Sequence, residues 1–593
     1  MVRLVLLMCL LCGGIIAARP ASAARMRTPG IIVGVPVTKL GDTNLADDGI
    51  TLREALLIVR GGNGPNGLNR KLSADETIDL TVESSGCSVG SGDITGGCGA
   101  GIIDAILFSP SLGANPTIFI TSTLPAISDN AMTILNGAGI TPTIDASGLA
   151  SGNRALEVSS SINGVWTINF SGSPGHNLVV SGNNNVLDDL GVWDANAAGV
   201  YITGNGNTLQ KSRIGVATST STSCGAGAAN RGNTGNGIQI DSGDNNDVLN
   251  NVVGCTVSTG SAGIYVYGTG NDIKLNKIGV NINDGGNLGN VGSGVLVLGA
   301  DGSTIQNNVI ANSGGVGILI GSGGHGFYSN VIRNNGSHGV YSLLWADHNT
   351  FGGVNKSNTI KSNGGDGLRF DGSQIFSVTV GINTIGEVGA GNAGNGIVFT
   401  GGAYDNVVMD NVIAYNLQHG VAFSGTNVSD NRVLRASLHD NGGAGIMETA
   451  GAAFNWWDMI STYNNGGLGI DKVYTSTAPL VSAPYPIIIS ATHTSPSVVS
   501  VRGRVTRQIA TNYAVKLYIA TLDPSGFGEG KTYLTSLTPD AQGYWLVNLS
   551  LTTIPCLTAF QTETAVTPGI NAASSSEFGP VSCRGYLPAV RRP

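Results

Sequence analysis

The 593-residue chain has a formal charge of −8, and only 11% of its residues are charged. That balance offers no basic patch for nucleic acid, so DNA and RNA are set aside as partners. A hydrophobic content of 41% argues against wholesale disorder, and 90 glycines are too many for a stack of helices.

Residues 1–24 read as a secretory signal peptide. Arg3 gives a basic start, Leu4 to Ala18 form an apolar core, and Ala21-Ser22-Ala23 is a small-x-small cleavage site. A lipoprotein box around Cys12 is poorly matched. No later apolar run approaches the roughly 18 residues of a membrane span, so no transmembrane segment is expected in the mature chain. The mature protein is expected to be secreted or held at the cell surface.

Residues 25–100 read as an N-terminal cap. A strand is expected within Val33 to Leu40. Thr51 and Glu54 form a capping box ahead of a helix-forming run. Such a helix would cover the open end of a stack of strands. The stretch Leu52-Arg53-Glu54-Ala55 resembles the CSLREA domain of secreted bacterial β-helix proteins, with Ile50-Thr51 where that family has Cys-Ser. The resemblance implies export and capping, and it supplies no reaction. Arg53 and Glu54 are read as structural.

From Ile102 to Phe170 short alternating runs read as the first coils, and a regular repeat follows to about Ile470. Its clearest word is Gly-apolar-x-apolar, as at Gly199–Ile202, Gly317–Ile320, Gly367–Phe370 and Gly467–Ile470. A second word is Asn-x-aliphatic, at Asn251, Asn276, Asn308, Asn330, Asn358, Asn383 and Asn411. Short alternating segments between Gly- and Asn-rich turns are strands, and a repeat of this length is a stack. Residues 101–474 are therefore read as a parallel β-helix with coils about 4.8 Å apart. The seven asparagines are read as an internal ladder, chosen for left-handed turns and amide stacking. The pattern resembles the right-handed parallel β-helix superfamily with the pectin-lyase-like fold, whose members include lyases, hydrolases, epimerases and adhesins.

Residues 475–583 change character. Alternating runs at Val498–Val505, Tyr513–Ala520, Tyr544–Leu551 and Leu557–Thr564, with turns at Asp523–Gly526 and Asp540–Gly543, suggest an immunoglobulin-like β-sandwich. Its close, Ser575-Ser576-Glu577-Phe578, resembles that of bacterial Ig-like modules. A basic tail spans 584–593. The fold class is thus all-β: a right-handed parallel β-helix with an N-terminal capping helix and a C-terminal β-sandwich. Six cysteines outside the leader suggest disulfides in an oxidising compartment. Sequence neighbours give Cys87–Cys98, Cys224–Cys255 and Cys556–Cys583, among the other pairings that six cysteines permit.

Alternation sends one column of side chains outward. It reads Tyr201, Gln239, Tyr265, Leu296, Leu319, Tyr341, Arg369, Val398, Ala422, Met447 and Gly469. Tyr201, Tyr265, Tyr267 and Tyr341 form a candidate glycan platform. The turn residue before each repeat glycine forms a second column that includes Asn236, His338, Asp366, Asn395 and His419. There His338 and Asp366 are expected one coil apart, near Arg369 and Asp371. An imidazole, a carboxylate and a guanidinium together are candidates for proton abstraction or glycosidic cleavage. Asp241, Asp244 and Asp247 form an acidic cluster that could hold calcium. Gly324-His325-Gly326 and Asp188-Asp189 are similar to polygalacturonase motifs but lie 135 residues apart, and Asp188 is placed at a ladder position instead.

The function read from these features is a secreted surface or matrix protein, non-catalytic, binding a polysaccharide or cell-surface glycan on an outer face or serving as an adhesin or structural element. The chain is expected to be a monomer with no required cofactor. The alternative is a polysaccharide lyase, glycoside hydrolase or epimerase built on His338, Asp366, Arg369 and Asp371.

Overall fold

The computed structural model describes residues 33–61, 65–82, 87–90, 93–96, 104–128, 133–137, 139–225, 231–299, 301–343, 345–473, 485–505, 513–522, 527–563 and 575–583. The expected leader, the Cys87–Cys98 pairing, the Asp523–Gly526 turn and the basic tail lie outside the described residues.

Strand Val33–Val37 opens the stack by pairing in parallel with Asp104–Phe108. Helix Leu52–Gly61 covers this end with Leu52, Ala55, Leu56, Ile58 and Val59 buried. Its capping box is formed. Glu54 Oε2 accepts the Thr51 N–H at 2.8 Å, and Thr51 Oγ1 accepts the Glu54 N–H at 3.2 Å. Arg53 pairs with Asp42 at 2.8 Å, whereas Glu54 pairs with Arg70 at 2.6 Å. The two neighbours thus fasten the helix to different parts of the cap.

Three long sheets of 16, 14 and 13 strands run the length of the stack. Each regular coil gives one short strand to each sheet. One coil contributes Val407–Met409, Val412–Ala414 and Val421–Phe423, which pair in parallel with Arg432–Leu434, Ser437–His439 and Ile446–Glu448 of the next. Inside, aliphatic columns are fully buried, and Phe327, Phe351, Phe370, Phe399 and Phe423 form a run of ring contacts with centroids 4.6 to 5.7 Å apart, stacked except for the edge-to-face pair Phe351–Phe370. Burying one such side chain contributes about 1.5–3 kcal/mol, against about 1 kcal/mol for one net hydrogen bond. The apolar columns therefore carry more of each coil's stability than its polar rungs, which set the turns.

The seven-asparagine ladder forms as read. Each backbone N–H donates to the next amide oxygen, as from Asn308 to Asn330 at 3.1 Å and from Asn330 to Asn358 at 2.9 Å. The left-handed residue is not the ladder Asn but the one before it, at Asn250, Leu275, Asn307, Ser329, Ile382 and Asp410. The ladder position is thus selected for its amide, and the strained φ is carried next door. Two further ladders run alongside. One includes Asn185, Asn207, Asn246 and Asn271; the other includes Asn335, Asn363, Asn392, Asn416, Asn441 and Asn465.

Asp188 is not a ladder residue: it faces outward on strand Val186–Asp188, and Ser212 Oγ serves the rung by accepting the Leu190 N–H at 3.0 Å. The last repeat is shifted by two residues. Met447 pairs with Asp471, so Asp471 rather than Gly469 continues the outward column.

The C-terminal region is antiparallel, with sheets of strands Pro486–Ser495, Val498–Val505 and Tyr544–Leu549, and of Glu529–Leu537, Tyr513–Thr521 and Leu557–Glu563. It has its own small core around Val499, Val501, Leu517 and Trp545. Tyr518, Phe560 and Phe578 instead join the core of the stack. Glu529 Oε1 accepts both the backbone and amide N–H groups of Asn465, at 3.1 and 2.9 Å, so a carboxylate ends the ladder. Ser575 Oγ accepts the Trp457 N–H at 3.1 Å. Disulfides join Cys224 to Cys255 and Cys556 to Cys583.

Candidate functional site

The turn column ahead of the third sheet forms in register. Its side chains accept the next coil's backbone N–H groups, from Ala198 to His176 at 3.1 Å and from Ala262 to Asn236 at 2.7 Å. Asp366 N–H donates to His338 Nδ1 at 2.9 Å, Asn395 N–H to Asp366 Oδ1 at 2.7 Å, His419 N–H to Asn395 Oδ1 at 3.2 Å and Ala444 N–H to His419 Nδ1 at 2.9 Å. Gly365 and Gly394 make room: a Cβ there would lie 2.6 Å from His338 Nδ1 and 2.4 Å from Asp366 Oδ1.

Strands Val340–Leu343 and Leu368–Asp371 pair Tyr341 with Arg369 and Leu343 with Asp371. This brings the four acid, base and cation candidates together with Tyr341. Arg369 lies 3.4 Å from Asp366, 3.0 Å from Asp371 and 5.7 Å from the Tyr341 ring. The Tyr341 hydroxyl donates to Asp371 at 3.3 Å.

The bonding pattern restricts what these groups can do. His338 Nδ1 lies 2.9 Å from the Asp366 N–H and 3.3 Å from Asp366 Oδ2. One ring nitrogen either accepts or donates, and the closer backbone donor assigns Nδ1 as an acceptor. Burial pushes the Asp366 carboxyl up, but the two Asn395 N–H groups it accepts help to hold it below the usual range. Asp366 is 5% exposed, so it is a poor proton carrier for a ligand on the outer surface. With Arg369 between two carboxylates, the cluster carries a net charge of about −1 at neutral pH.

Tyr201, Tyr265 and Tyr267 lie on strands of the same 13-stranded sheet as Tyr341. Tyr201 stacks on His176 at 4.4 Å and donates to Asp241 at 2.7 Å. Burial and that carboxylate push its phenol up to about 12. Tyr265 is half-buried, and Tyr267 is exposed with its ring over Gly299. The acidic residues do not converge. Asp241 serves Tyr201, Asp244 Oδ1 accepts the Thr269 N–H at 2.8 Å, and Asp247 sits on its own strand. Among the described residues, no group of three or more His, Cys, Asp or Glu side chains is placed to hold a metal ion. His325 is buried within a ladder: Nδ1 accepts the Ser303 N–H at 3.2 Å and Nε2 meets Ser322 Oγ at 2.8 Å.

Residues 293–465 match the family model described as the right handed beta helix region. No curated protein matches the chain. Among solved structures, the A-module of the mannuronan C-5 epimerase AlgE6 of Azotobacter vinelandii is 14% identical, with 63% of this chain and 92% of that one covered and a TM-score of 0.34. A tailspike protein of E. coli bacteriophage HK620 is 11% identical over 78% of this chain and 80% of that one, also at 0.34. The catalytic unit of an alpha-1,3-glucanase from Streptomyces thermodiastaticus is 13% identical over 63% and 65%, at 0.33. Similarities of this size carry no argument about substrate or activity. Among the described residues no helix is long and apolar enough to cross a membrane.

Proposed function

We propose that the protein is a secreted, non-catalytic polysaccharide-binding β-helix that uses the outer face around Tyr341 and Arg369. The observation that carries this reading is the state of the two proton-transfer candidates. His338 Nδ1 and Asp366 Oδ1 are both spent on backbone N–H groups of the next coil. His338 Nε2 is left for a ligand, but Asp366, 5% exposed and held by Asn395 and Arg369, is withheld from the outer surface, so the acid–base pair is incomplete. What remains facing outward is a tyrosine ring, a guanidinium and the Asp371 carboxylate, a set suited to stacking and hydroxyl recognition.

The sign of charge selects the ligand class. One guanidinium between two carboxylates, on a chain of formal charge −8, disfavours an anionic polymer. A neutral polysaccharide fits better. The disulfides Cys224–Cys255 and Cys556–Cys583 support an extracellular setting.

The test is incubation of the mature protein with neutral and uronic-acid polysaccharides, with and without calcium. Retention on a neutral polysaccharide, with no new unsaturated or reducing ends, is the expected result. New ends that disappear in an Asp366→Asn variant would establish the lyase or hydrolase reading instead, and inverted uronate stereochemistry without new ends would establish the epimerase.

A further inference from the structure

A second opening lies on the other side of the same turns, along the edge of the 14-stranded sheet. It is a groove of about 650 Å³, within the size range of small-ligand sites. Its shape follows from an insertion. Ladder residues Asn358 and Asn363 are five apart, as are Asn411 and Asn416, but Asn383 and Asn392 of the intervening coil are nine apart. The four extra residues make a wall, tied down by Lys361 to Glu387 at 2.6 Å. Glycines 364, 389, 391 and 442 line the groove without side chains to fill it.

Tyr415, Leu417 and Asp440 project into this space. Tyr415 occupies the left-handed turn position at φ 61°, a costly conformation for a bulky side chain. Equivalent turns use Asn312, Asn334, Ser362, Asp440 and Asn464. An aromatic ring there is unexplained by the turn. Leu417 is 68% exposed beside it, an apolar contact with nothing over it. Asp440 Oδ2 accepts from His439 Nδ1 at 2.7 Å, and His439 is clamped by stacking on Tyr463 at 4.5 Å. The carboxylate is thereby oriented, and burial and Asp440 both push the Tyr415 phenol up.

We propose that this groove is a second saccharide site, taking a neutral pyranose chain with ring faces against Tyr415 and Leu417 and hydroxyls on Asp440. His439 is a positioning residue. The site shares no side chain with the Tyr341 face and does not depend on it. The groove crosses four coils, a span of about 14 Å, so it suits an oligosaccharide rather than one sugar. Lys361 and Glu387 cancel, leaving Asp440 to disfavour uronates.

Tyr415→Asn and Asp440→Asn are informative because Asn already occupies equivalent turns, so both variants should keep the fold. Binding to immobilised neutral gluco-, manno-, xylo- and galacto-oligosaccharides is compared with wild type, with hydrogen exchange used to locate the ligand. The expected result is that either variant weakens the best-bound oligosaccharide by about tenfold or more, with protection over residues 386–393 and 415–417. Undiminished binding in both variants overturns the groove, and so does absence of any neutral oligosaccharide bound. Loss in Arg369→Gln without loss in Asp440→Asn also overturns the groove while leaving the Tyr341 face intact. If Tyr415→Asn fails to fold, Asp440→Asn and the exchange pattern decide alone.

Discussion

At the scale of single residues, the stack is governed by which atom each polar side chain spends on the next coil. Asn383 shows the density of this bonding. Its Oδ1 accepts the backbone and amide N–H groups of Asn358 at 3.0 and 2.9 Å, and its Nδ2 meets Phe351 O at 3.0 Å. Asn383→Ala leaves those buried groups unpaired and is expected to cost about 3 kcal/mol. A fall in the urea midpoint at unchanged m-value measures it; an unchanged midpoint would contradict the ladder's energetic role. His325 gives a pH signature. Burial pushes its imidazole down to about 4, against a weaker opposing pull from Asp301. The unfolded chain, with a pKa near 6.5, binds the proton more readily than the folded one. Stability is therefore full above about pH 6.5 and falls as pH drops toward 4, by about 3 kcal/mol. His325→Asn keeps a ladder acceptor and should flatten that dependence in unfolding experiments between those pH values. The role of His325 was legible, since it stands two residues before Phe327 as Asn271 stands before Ile273.

At the scale of elements, the sequence carried the strands and their facing, because period-two alternation survives in even a three-residue strand. It also carried the meeting of His338, Asp366, Arg369 and Asp371, since column order depends only on register. It did not carry which nitrogen of His338 is occupied, nor the groove, which arises from a four-residue insertion and from glycines that leave no pattern of their own. The register of the last repeat was recoverable. Asn441 precedes Gly445 by four and Asn465 precedes Gly469 by four, so Gly469 and not Gly467 begins that word. The C-terminal strands were mostly legible, but their docking was not, because Glu529 gives no local sign that it will close a ladder. Glu529→Ala removes the acceptor for two N–H groups of Asn465. Hydrogen exchange at Asn465 should then accelerate by about tenfold, while Glu529→Gln, which keeps an oxygen, should change it less. Equal exchange in all three proteins would show that the carboxylate does not hold that end.

At the scale of the whole molecule, a stack needs both ends covered. Helix Leu52–Gly61 covers one. At the other, Tyr518, Phe560 and Phe578 share the stack's core, and Glu448 forms a buried pair with Lys472 at 3.0 Å just beneath them. A chain ending after Val473 would expose that end and the last strand of each long sheet. It is expected to associate, eluting ahead of the full chain in size-exclusion chromatography; a well-behaved monomer would count against the C-terminal region as a cap. Between its two ends the stack offers a long outer surface, which in the proposed function binds a neutral polysaccharide without transforming it. Calorimetric titration of that polysaccharide into an Asp440→Asn protein, with its groove impaired, and into the same protein carrying Tyr341→Ala isolates the Tyr341 face, with the cell contents checked afterwards for new ends. Binding weakened about tenfold or more by Tyr341→Ala, with no product, is expected. Equal affinity in the two proteins, or product in either cell, would overturn the proposed function.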